Sequence, residues 1–266
     1  MKNIKKIIAI GLMTGMFSLV GLGCGMSTDN SSTSHIDKIK ESGKLILATG
    51  NYRPFEYHDE ITNEVVGYDI DLATKIADEL GVKLEVKDMD FTSIIPTLQN
   101  KQADIVIAAM YITDERKNAV DFANSYMESG QIICVKKGST ITSNDDLIGK
   151  KVGAKLGGTS AACVQKMIDD GKDIELVTYK QNEDMLIDLE NGRLDAGVND
   201  LLYQLQYNST HPNLTILDGI LTEAELGIAV RKGDDELKDV VNKVLENMNE
   251  YGEDAKLYEK WIPKNN

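Results

Sequence analysis

The sequence predicts an α/β protein built from two successive units. From Lys44 onward, apolar runs of strand length alternate with segments in which apolar residues recur at the helical period. The alternation starts again near Ser143, and no repeat of fixed length is present after Ser34. Two such units suit either a two-lobed binding protein or a dinucleotide-binding enzyme, so the motifs must decide between these classes.

The first unit begins with a buried strand at 45–48. A helix follows that Asp69 or Asp71 can cap and that Gly81 ends, with its apolar residues on one face. The next elements are a strand at 82–86, a helix at 91–98 that contains Pro96, an apolar run at 105–109 and a strand at 132–135.

The second unit repeats this pattern. Its strands are predicted at 152–154, 174–177 and 194–198, and its helices at 160–168 and 184–190. The chain closes with a strand at 226–230, an amphipathic helix from Leu237 to Met248, and a final turn that holds Trp261.

The N-terminus has the features of an export signal. Three lysines within the first six residues precede an uncharged, mostly apolar run at 7–22, which is short for a membrane span and ends in small residues beside Cys24. This ending resembles the lipobox of bacterial lipoproteins, in which the cysteine is acylated after cleavage, although Gly21 stands where Leu is usual.

That resemblance implies a lipoprotein signal peptide at 1–23, a palmitate-type lipid on Cys24 and a flexible tether at 24–35. The protein would then be exported and held at the outer face of the cell membrane by its lipid alone. Plain secretion with an incidental Cys24 is the alternative.

The charge balance excludes some partners. Residues 1–23 hold three of the 29 basic residues and none of the 43 acidic ones, so the remaining chain has a formal net charge of −17. A surface this acidic argues against binding to nucleic acid and against electrostatic adhesion to anionic lipid.

The cysteines and histidines indicate no metal site. Cys134 and Cys163 have no zinc-ligand spacing, and the three histidines form no cluster in the sequence. Outside the cytoplasm the two cysteines could form a disulfide, or they could be two buried thiols, and the sequence leaves both open. We expect neither a metal nor a cofactor.

Four short segments carry candidate binding residues. Arg116 lies one turn into a predicted helix beside a strand end, where its planar guanidinium can meet a carboxylate. Gly158 belongs to a glycine turn that opens a helix, and free backbone N–H groups at such a start bind anions. Asp200 ends a strand, and Tyr52 and Phe91 offer aromatic walls.

Each candidate also has a structural explanation: an ion pair for Arg116, a helix cap for Asp200, and core packing for the aromatic residues. Together, however, they supply what a zwitterion needs, from strand ends where α/β sheets place ligands. The glycine turn lacks the Lys-Ser/Thr of a phosphate loop and the spaced glycines of a dinucleotide site, which disfavours NTPases and dehydrogenases.

The chain from Lys44 to Pro263 resembles the polar amino acid binding proteins of ABC importers, extracellular solute-binding family 3, including glutamine-binding proteins. The matching stretches are Tyr52-Arg53-Pro54-Phe55-Glu56-Tyr57, Val66-Gly67-Tyr68-Asp69-Ile70-Asp71-Leu72, Met89-Asp90-Phe91-Thr92-Ser93-Ile94-Ile95-Pro96, Ile112-Thr113-Asp114-Glu115-Arg116-Lys117, Val120-Asp121-Phe122, Ser129-Gly130, Gly157-Gly158-Thr159-Ser160, Asp195-Ala196 and Gly227-Ile228-Ala229-Val230-Arg231-Lys232-Gly233.

The resemblance implies a two-lobed periplasmic-binding-protein fold of type II, in which each lobe is a mixed sheet flanked by helices and two hinge strands join the lobes. Its boundaries here would be 36–128 plus 223–266 for lobe 1 and 129–222 for lobe 2. The hinge strands would lie near 126–130 and 219–223.

The resemblance also implies roles for individual residues. Arg116 would hold the ligand α-carboxylate with Thr159 and its backbone N–H, and Asp200 would hold the α-ammonium with the carbonyl of Ala109. The remaining predicted contacts are aromatic walls from Tyr52 and Phe91, a pocket end lined by Thr49, Lys155 and Asn199, and Tyr111, whose hydroxyl either donates to the ligand or turns away.

The pocket end predicts the ligand class. Members that bind cationic amino acids often carry Asp where this chain has Thr49, and Lys155 would repel a second cation. Asn199 offers both a donor and an acceptor, which suits an amide. We therefore expect glutamine or a similar neutral polar amino acid, ahead of glutamate or cystine, with arginine behind them.

Two other functions use the same fold. A dehydratase of prephenate-like acids would need a catalytic acid, and none is evident once Asp200 binds an ammonium. A sensor domain would deliver the ligand to a receptor in place of a permease. The expectation is a monomeric binding protein without enzyme activity that serves ABC permease subunits.

Overall fold

The computed structural model describes residues 33–262. The predicted signal peptide, Cys24 and most of the predicted tether lie outside this range. Within it the helices are α1 (His35–Ser42), α2 (Tyr68–Leu80), α3 (Phe91–Gln99), α4 (Asp114–Ala119), α5 (Thr159–Asp169), α6 (Asn182–Glu190), α7 (Leu201–Thr210), α8 (Asp235–Glu250) and α9 (Glu253–Trp261), with a 3₁₀ turn at Asn144–Leu147.

The strands alternate with these helices, so the predicted α/β class is confirmed. They are β1 (Lys44–Thr49), β2 (Tyr57–His58), β3 (Val65–Val66), β4 (Lys83–Asp88), β5 (Ile105–Val106), β6 (Asp121–Lys136), β7 (Lys150–Lys155), β8 (Ile174–Tyr179), β9 (Ala196–Asp200), β10 (Leu214–Ile216) and β11 (Thr222–Val230).

One mixed sheet contains all of these strands except the small β2–β3 hairpin. Its order is β4-β1-β5-β11-β6-β9-β7-β8, and β10 adds to β6. β1 runs parallel to β4 and β5, and β7 runs parallel to β8 and β9. The antiparallel pair β6–β11 joins the two parallel groups. We call the β4-β1-β5 group with α2, α3 and α8 the first half, and the β9-β7-β8 group with α5, α6 and α7 the second half.

Each half has its own apolar core. In the first half, α2 and α8 pack on one face of the strands and α3 on the other, around residues such as Leu47 and Val106. In the second half, Val152 and Val198 belong to one cluster and Met185 and Leu189 to another. Separate cores joined by two strands are the arrangement expected of a two-lobed protein. The predicted hinge segments fall inside β6 and at the start of β11.

The start of α2 differs from the prediction. Neither Asp69 nor Asp71 caps this helix, because it begins earlier, after Gly67. Gly67 has φ 138°, and a Cβ there would lie 2.1 Å from the Phe55 carbonyl oxygen, so only glycine fits. Asp71 instead accepts a hydrogen bond from Trp261 Nε1 at 2.7 Å, which anchors α9.

The apolar run predicted at 105–109 forms only the two-residue strand β5, and Ala109 has φ 43°. Cys134 and Cys163 are not bonded to each other; Cys134 is buried and Cys163 half-buried. Across residues 33–262 there is no group of His, Cys, Asp or Glu side chains suited to a metal ion. In the same range, no helix is long and apolar enough to cross a membrane.

Candidate functional site

A cavity lies between the two halves, where the carboxyl ends of β1, β5, β7 and β9 meet. Its volume is about 410 Å³, including the part that is open to solvent. This is the position at which open α/β sheets bind ligands. The residues that line it are Tyr52, Glu56, Phe91, Ala108, Ala109, Tyr111, Arg116, Gln131, Lys155, Gly158, Thr159, Ser160 and Asp200.

Arg116 places its guanidinium at one side of this cavity. The Thr113 side chain caps α4 by accepting a hydrogen bond from the Arg116 N–H at 3.2 Å. The guanidinium donates to the Tyr111 carbonyl at 2.7 Å and to the Gly157 carbonyl of the second half at 3.3 Å. It lies over the Phe91 ring, 5.3 Å from the ring centroid. Burial lowers the pKa of Arg116 to about 10.

No carboxylate within residues 33–262 lies within 4 Å of this guanidinium. A positive charge that is partly desolvated and meets only neutral carbonyl groups favours an anionic ligand group. The structural alternative, an ion pair with a neighbouring acid such as Asp114, is not formed.

The start of α5 faces the same side of the cavity. Gly157 has φ 70°, and Gly158 is the N-cap but provides no capping side chain. The first N–H groups of α5 therefore have no acceptor within the helix. The Thr159 hydroxyl is also buried without a hydrogen-bond partner in the described part of the chain. These groups supply further donors to an anion beside Arg116.

Asp200 lies on another wall of the cavity. Its Oδ1 accepts a hydrogen bond from the Tyr203 N–H at 3.0 Å, so Asp200 caps α7 as the structural alternative predicted. Its Oδ2 faces the other way and accepts from the hydroxyls of Tyr111 and Ser129. Burial raises the pKa of Asp200. No Lys, Arg or His of residues 33–262 forms an ion pair with it, which leaves its charge for a cationic ligand group.

The aromatic walls enclose the ammonium of Lys155. The Tyr52 ring stacks on Tyr203 of the second half, with 4.2 Å between centroids. The Lys155 Nζ lies 4.9 Å from the centroid of Tyr52 and 5.6 Å from that of Phe91, which is cation–π distance. Lys155 is only 8% exposed, and burial lowers its pKa.

Glu56 also lines the cavity, and sequence reasoning assigned it no role. It is 1% exposed, and neither carboxyl oxygen accepts from a well-formed donor in the described residues. Burial and the neighbouring Asp69 raise the pKa of Glu56 well above its usual range, although Lys155 opposes the shift. The Oε1 of Gln131 is likewise buried without a partner. Unsatisfied polar atoms gathered at one cavity indicate a bound molecule that completes them.

Two predicted contacts do not reach the cavity lining. Thr49 is fully buried and its hydroxyl donates to the Ile107 carbonyl at 2.6 Å. Asn199 lies behind the Tyr52 wall, where its Oδ1 accepts from the Tyr52 hydroxyl at 3.2 Å and its amide nitrogen donates to Gln204 at 3.0 Å. Both side chains are thus satisfied within the protein.

Arg53 and Tyr111 differ in whether they line the cavity. Arg53 lies outside the lining, stacked on Tyr57 at 4.1 Å and paired with Glu60 at 3.3 Å. The Tyr111 hydroxyl is directed to Asp200. Ala109 lines the cavity, and its N–H donates to Asp69 Oδ2 at 2.7 Å.

Four lining residues were not among the predicted contacts: Glu56, Ala108, Gln131 and Ser160. Of these, Glu56 and Ser160 lie in stretches quoted for the family resemblance, which was the available signal.

The sequence of residues 45–264 matches the family of bacterial extracellular solute-binding proteins, family 3. The arginine-binding extracellular protein ArtP of Bacillus subtilis is 37% identical and covers 90% of this chain and 91% of its own length. A solved ancestral arginine-binding protein bound to arginine is 44% identical, with a TM-score of 0.79, 83% of this chain and 99% of that chain covered. An ancestral arginine-binding protein bound to glutamine is also 44% identical, with a TM-score of 0.77, covering 84% and 99%.

Proposed function

The chain belongs to the bacterial extracellular solute-binding proteins of family 3, the amino acid binding proteins of ABC transporters, and we propose that its own ligand is glutamine or a similar neutral polar amino acid. Its fold is the two-lobed type II fold of periplasmic amino acid binding proteins. The observation that carries the proposal is a pair of opposite charges at one cavity: among residues 33–262, Arg116 pairs with no acid and Asp200 with no cation.

An α-amino acid brings the charges that this pair lacks. Its carboxylate would accept from the Arg116 guanidinium and from the first N–H groups of α5, which begins at Thr159. Its ammonium would donate to Asp200 Oδ2 and to the Ala109 carbonyl. Each buried charge would then be paired and hydrogen-bonded, which is the condition for burying an ion.

The part of the cavity lined by Lys155 and Glu56 supports a carboxamide side chain. These two residues influence each other's pKa, yet no carboxylate within residues 33–262 lies within 4 Å of the Lys155 Nζ. The space between these two side chains has a hydrogen-bond donor, the Lys155 Nζ, on one side and an acceptor, the Glu56 carboxylate, on the other. A carboxamide fits there because its oxygen can accept from Lys155 while its NH₂ donates to Glu56. Lys155 and Glu56 thus provide the polar contacts that were expected from Thr49 and Asn199.

Arginine is the second candidate. Sequence reasoning disfavoured it because no acid was expected at this end of the pocket, and Glu56 is such an acid. Two aromatic faces and a carboxylate form a cation slot, which at present holds Lys155. Arginine-binding proteins are among the proteins to which this chain is similar. The guanidinium of a bound arginine could enter this slot only if the Lys155 ammonium moved out of it or if the net charge of the surrounding groups became more negative.

We further propose that Cys24 is lipidated and that the protein acts as a monomer tethered outside the cell. Cys24 lies outside the described residues, so the proposal stands on the sequence before it. Metabolic labelling with a radioactive fatty acid tests it. Label should be incorporated into the native protein and be absent from Cys24→Ser, and equal labelling of both would contradict lipidation.

A thermal-shift screen of all proteinogenic amino acids and cystine tests the ligand class. Glutamine should give the largest rise in Tm, with glutamate, cystine and arginine following. Competition calorimetry between arginine and glutamine then ranks the two candidates, and a higher affinity for arginine or lysine at neutral pH would overturn the glutamine assignment. Prephenate turnover by the same preparation would instead favour the dehydratase function.

A further inference from the structure

Two acids are buried at the cavity: Glu56 lines it, and Asp69 is bonded to Ala109, which also lines it. Glu56 is 1% exposed and Asp69 is fully buried. Asp69 Oδ2 accepts from the Ala109 N–H at 2.7 Å and from the Tyr126 hydroxyl at 3.2 Å. Asp69 Oδ1 and both oxygens of Glu56 meet no well-formed donor among residues 33–262.

The backbone holds the two residues together, because the Asp69 N–H donates to the carbonyl of Phe55, the residue before Glu56, at 2.8 Å. Each carboxyl group also shifts the pKa of the other. Two carboxylates both accept and cannot bond to each other, so these oxygens are satisfied together only when a proton lies between them. Two adjacent buried carboxylates also repel each other, which favours the state with one shared proton. In that state the pair carries one negative charge.

The groups that face this pair come from several elements. Lys155 at the end of β7 is the cation, and burial lowers its pKa while Glu56 and then Asp90 counter the shift. The hydroxyls of Tyr126 and Tyr52 are neutral, since burial raises the pKa of both well above the usual range. The backbone of Gly50 also approaches Glu56.

Burial and the adjacent Asp69 raise the pKa of Glu56, and burial raises that of Asp69 to about 6.

We propose that the Glu56–Asp69 pair, opposed by Lys155, sets the charge of the ligand side chain that the cavity accepts. With one shared proton, the pair and Lys155 sum to zero charge, and the cavity binds a neutral carboxamide. When the shared proton leaves, the cluster is negative by one charge and binds a cationic side chain. The inference rests on the proposed function, because it concerns the same amino acid site.

Proton release follows from this charge balance. A buried site with an unbalanced charge is strongly disfavoured, so arginine binding must release about one proton while glutamine binding releases none. Affinity for arginine should then rise by about tenfold per pH unit until the pair is fully ionised, whereas affinity for glutamine stays level. The selectivity of the cavity is thereby coupled to external pH.

The test is calorimetry on the intact mature protein with L-arginine and with L-glutamine, between about pH 5.5 and about pH 8.5. Titrations in phosphate and in Tris at one pH count the protons released, because these buffers differ in ionisation enthalpy. We expect about one proton released with arginine and none with glutamine. Equal release for the two ligands, or no arginine binding at the highest pH while glutamine binds, would overturn the inference.

Two variants should act in opposite directions. Glu56→Gln leaves one acid against Lys155, so the ratio of arginine to glutamine affinity should fall and lose its pH slope. Lys155→Met leaves the shared proton and one negative charge, so the ratio should rise at low pH and also lose its slope. A slope that persists in Glu56→Gln, with its fold intact by circular dichroism, contradicts the assignment.

The failures of the two proposals are distinguishable. If no amino acid binds at any pH, the proposed function is wrong. If glutamine and arginine both bind with ratios that do not depend on pH, only the role of the Glu56–Asp69 pair is wrong.

Discussion

The hydroxyl of Tyr111 donates a hydrogen bond to Asp200 Oδ2, across the boundary between the two halves of the protein. Tyr111 follows β5 in the first half, and Asp200 ends β9 in the second. Ser129 Oγ donates to the same oxygen at 2.7 Å from β6, the long strand that both halves share. The carboxylate assigned to the ligand ammonium is therefore also a contact through which the halves hold each other.

Tyr111→Phe tests that contact. The change removes one donor from a buried carboxylate and one bond between the halves, so we expect ligand affinity to fall by about tenfold. Ser129→Ala is the matched control, because it removes a donor to the same oxygen without removing a bond between the halves. Calorimetry should show the smaller loss for Ser129→Ala, and a smaller loss for Tyr111→Phe than for the control would count against the role of Tyr111 in closure.

Arg116→Ala should weaken ligand binding by on the order of a hundredfold or more, since losing one partner of a buried charged contact costs about 2–5 kcal/mol. The melting temperature without ligand should change little, because the guanidinium bonds only to carbonyl groups and pairs with no acid within residues 33–262. Arg193→Ala serves as the control, since Arg193 is 69% exposed and paired with Asp188. Near-native affinity of Arg116→Ala in calorimetry would refute the assignment.

Most strands and helices of the two halves could be predicted because strand ends and helix starts can be recognised locally. Local patterns also pointed to Arg116, Gly158 and Asp200, whereas Ala109, Lys155 and Thr159 came from the family resemblance. The prediction of the cavity residues was wrong where the direction of a side chain decides whether it lines the cavity. Neighbouring side chains of a strand point to opposite faces, so with Asp200 directed into the cavity, Asn199 points away from it. Thr49 has its hydroxyl occupied by the Ile107 carbonyl.

Glu56 shows a different limit. A glutamate is expected at the surface, and nothing in its immediate neighbours predicts that it lies 1% exposed beside a second acid. The charged neighbours that shift its pKa, Asp69 and Lys155, are separated from it in the sequence and meet it only in the fold. The Tyr-Arg-Pro-Phe-Glu-Tyr stretch contained the residue, but the stretch alone could not indicate its environment.

His35 should stabilise the protein in a pH-dependent manner. Burial and the nearby Arg231 lower the pKa of His35. Hydrogen bonds to Asp104 at 2.9 Å and to Asp234 at 2.5 Å raise it by more, so the pKa is raised overall. The stabilisation is then complete below the unfolded pKa of about 6.5 and is lost as pH rises through the raised folded value.

His35→Gln should therefore lower the Tm by about 2–4 °C at about pH 6 and by much less at about pH 9. His58→Gln is the control, because the His58 side chain is 37% exposed, against 19% for His35, and its ion-pair partner Asp88 is 47% exposed, so its effect should be small at both values. Differential scanning calorimetry gives both Tm series. A larger effect of His35→Gln at the higher pH would reverse the predicted sign.

Ligand binding should compact the protein by hinge closure, the motion known for periplasmic binding proteins. The described conformation brings the halves together through the Tyr52–Tyr203 stack and the Lys180–Asp90 ion pair at 2.7 Å. Small-angle X-ray scattering should show a smaller radius of gyration with saturating glutamine than without it. An unchanged radius for a protein that demonstrably binds glutamine would argue against closure.

The most direct test of the zwitterion site is calorimetric titration with L-glutamine and with two analogues that lack either the α-ammonium or the α-carboxylate. Glutamine should bind with one site per chain, and each analogue should bind at least about a hundredfold more weakly, because it leaves Asp200 or Arg116 buried without its partner. Asp200→Asn should reduce affinity for glutamine far more than for the analogue without the ammonium. If both analogues bind as tightly as glutamine, or if no amino acid binds at all, Arg116 and Asp200 do not form an amino acid site.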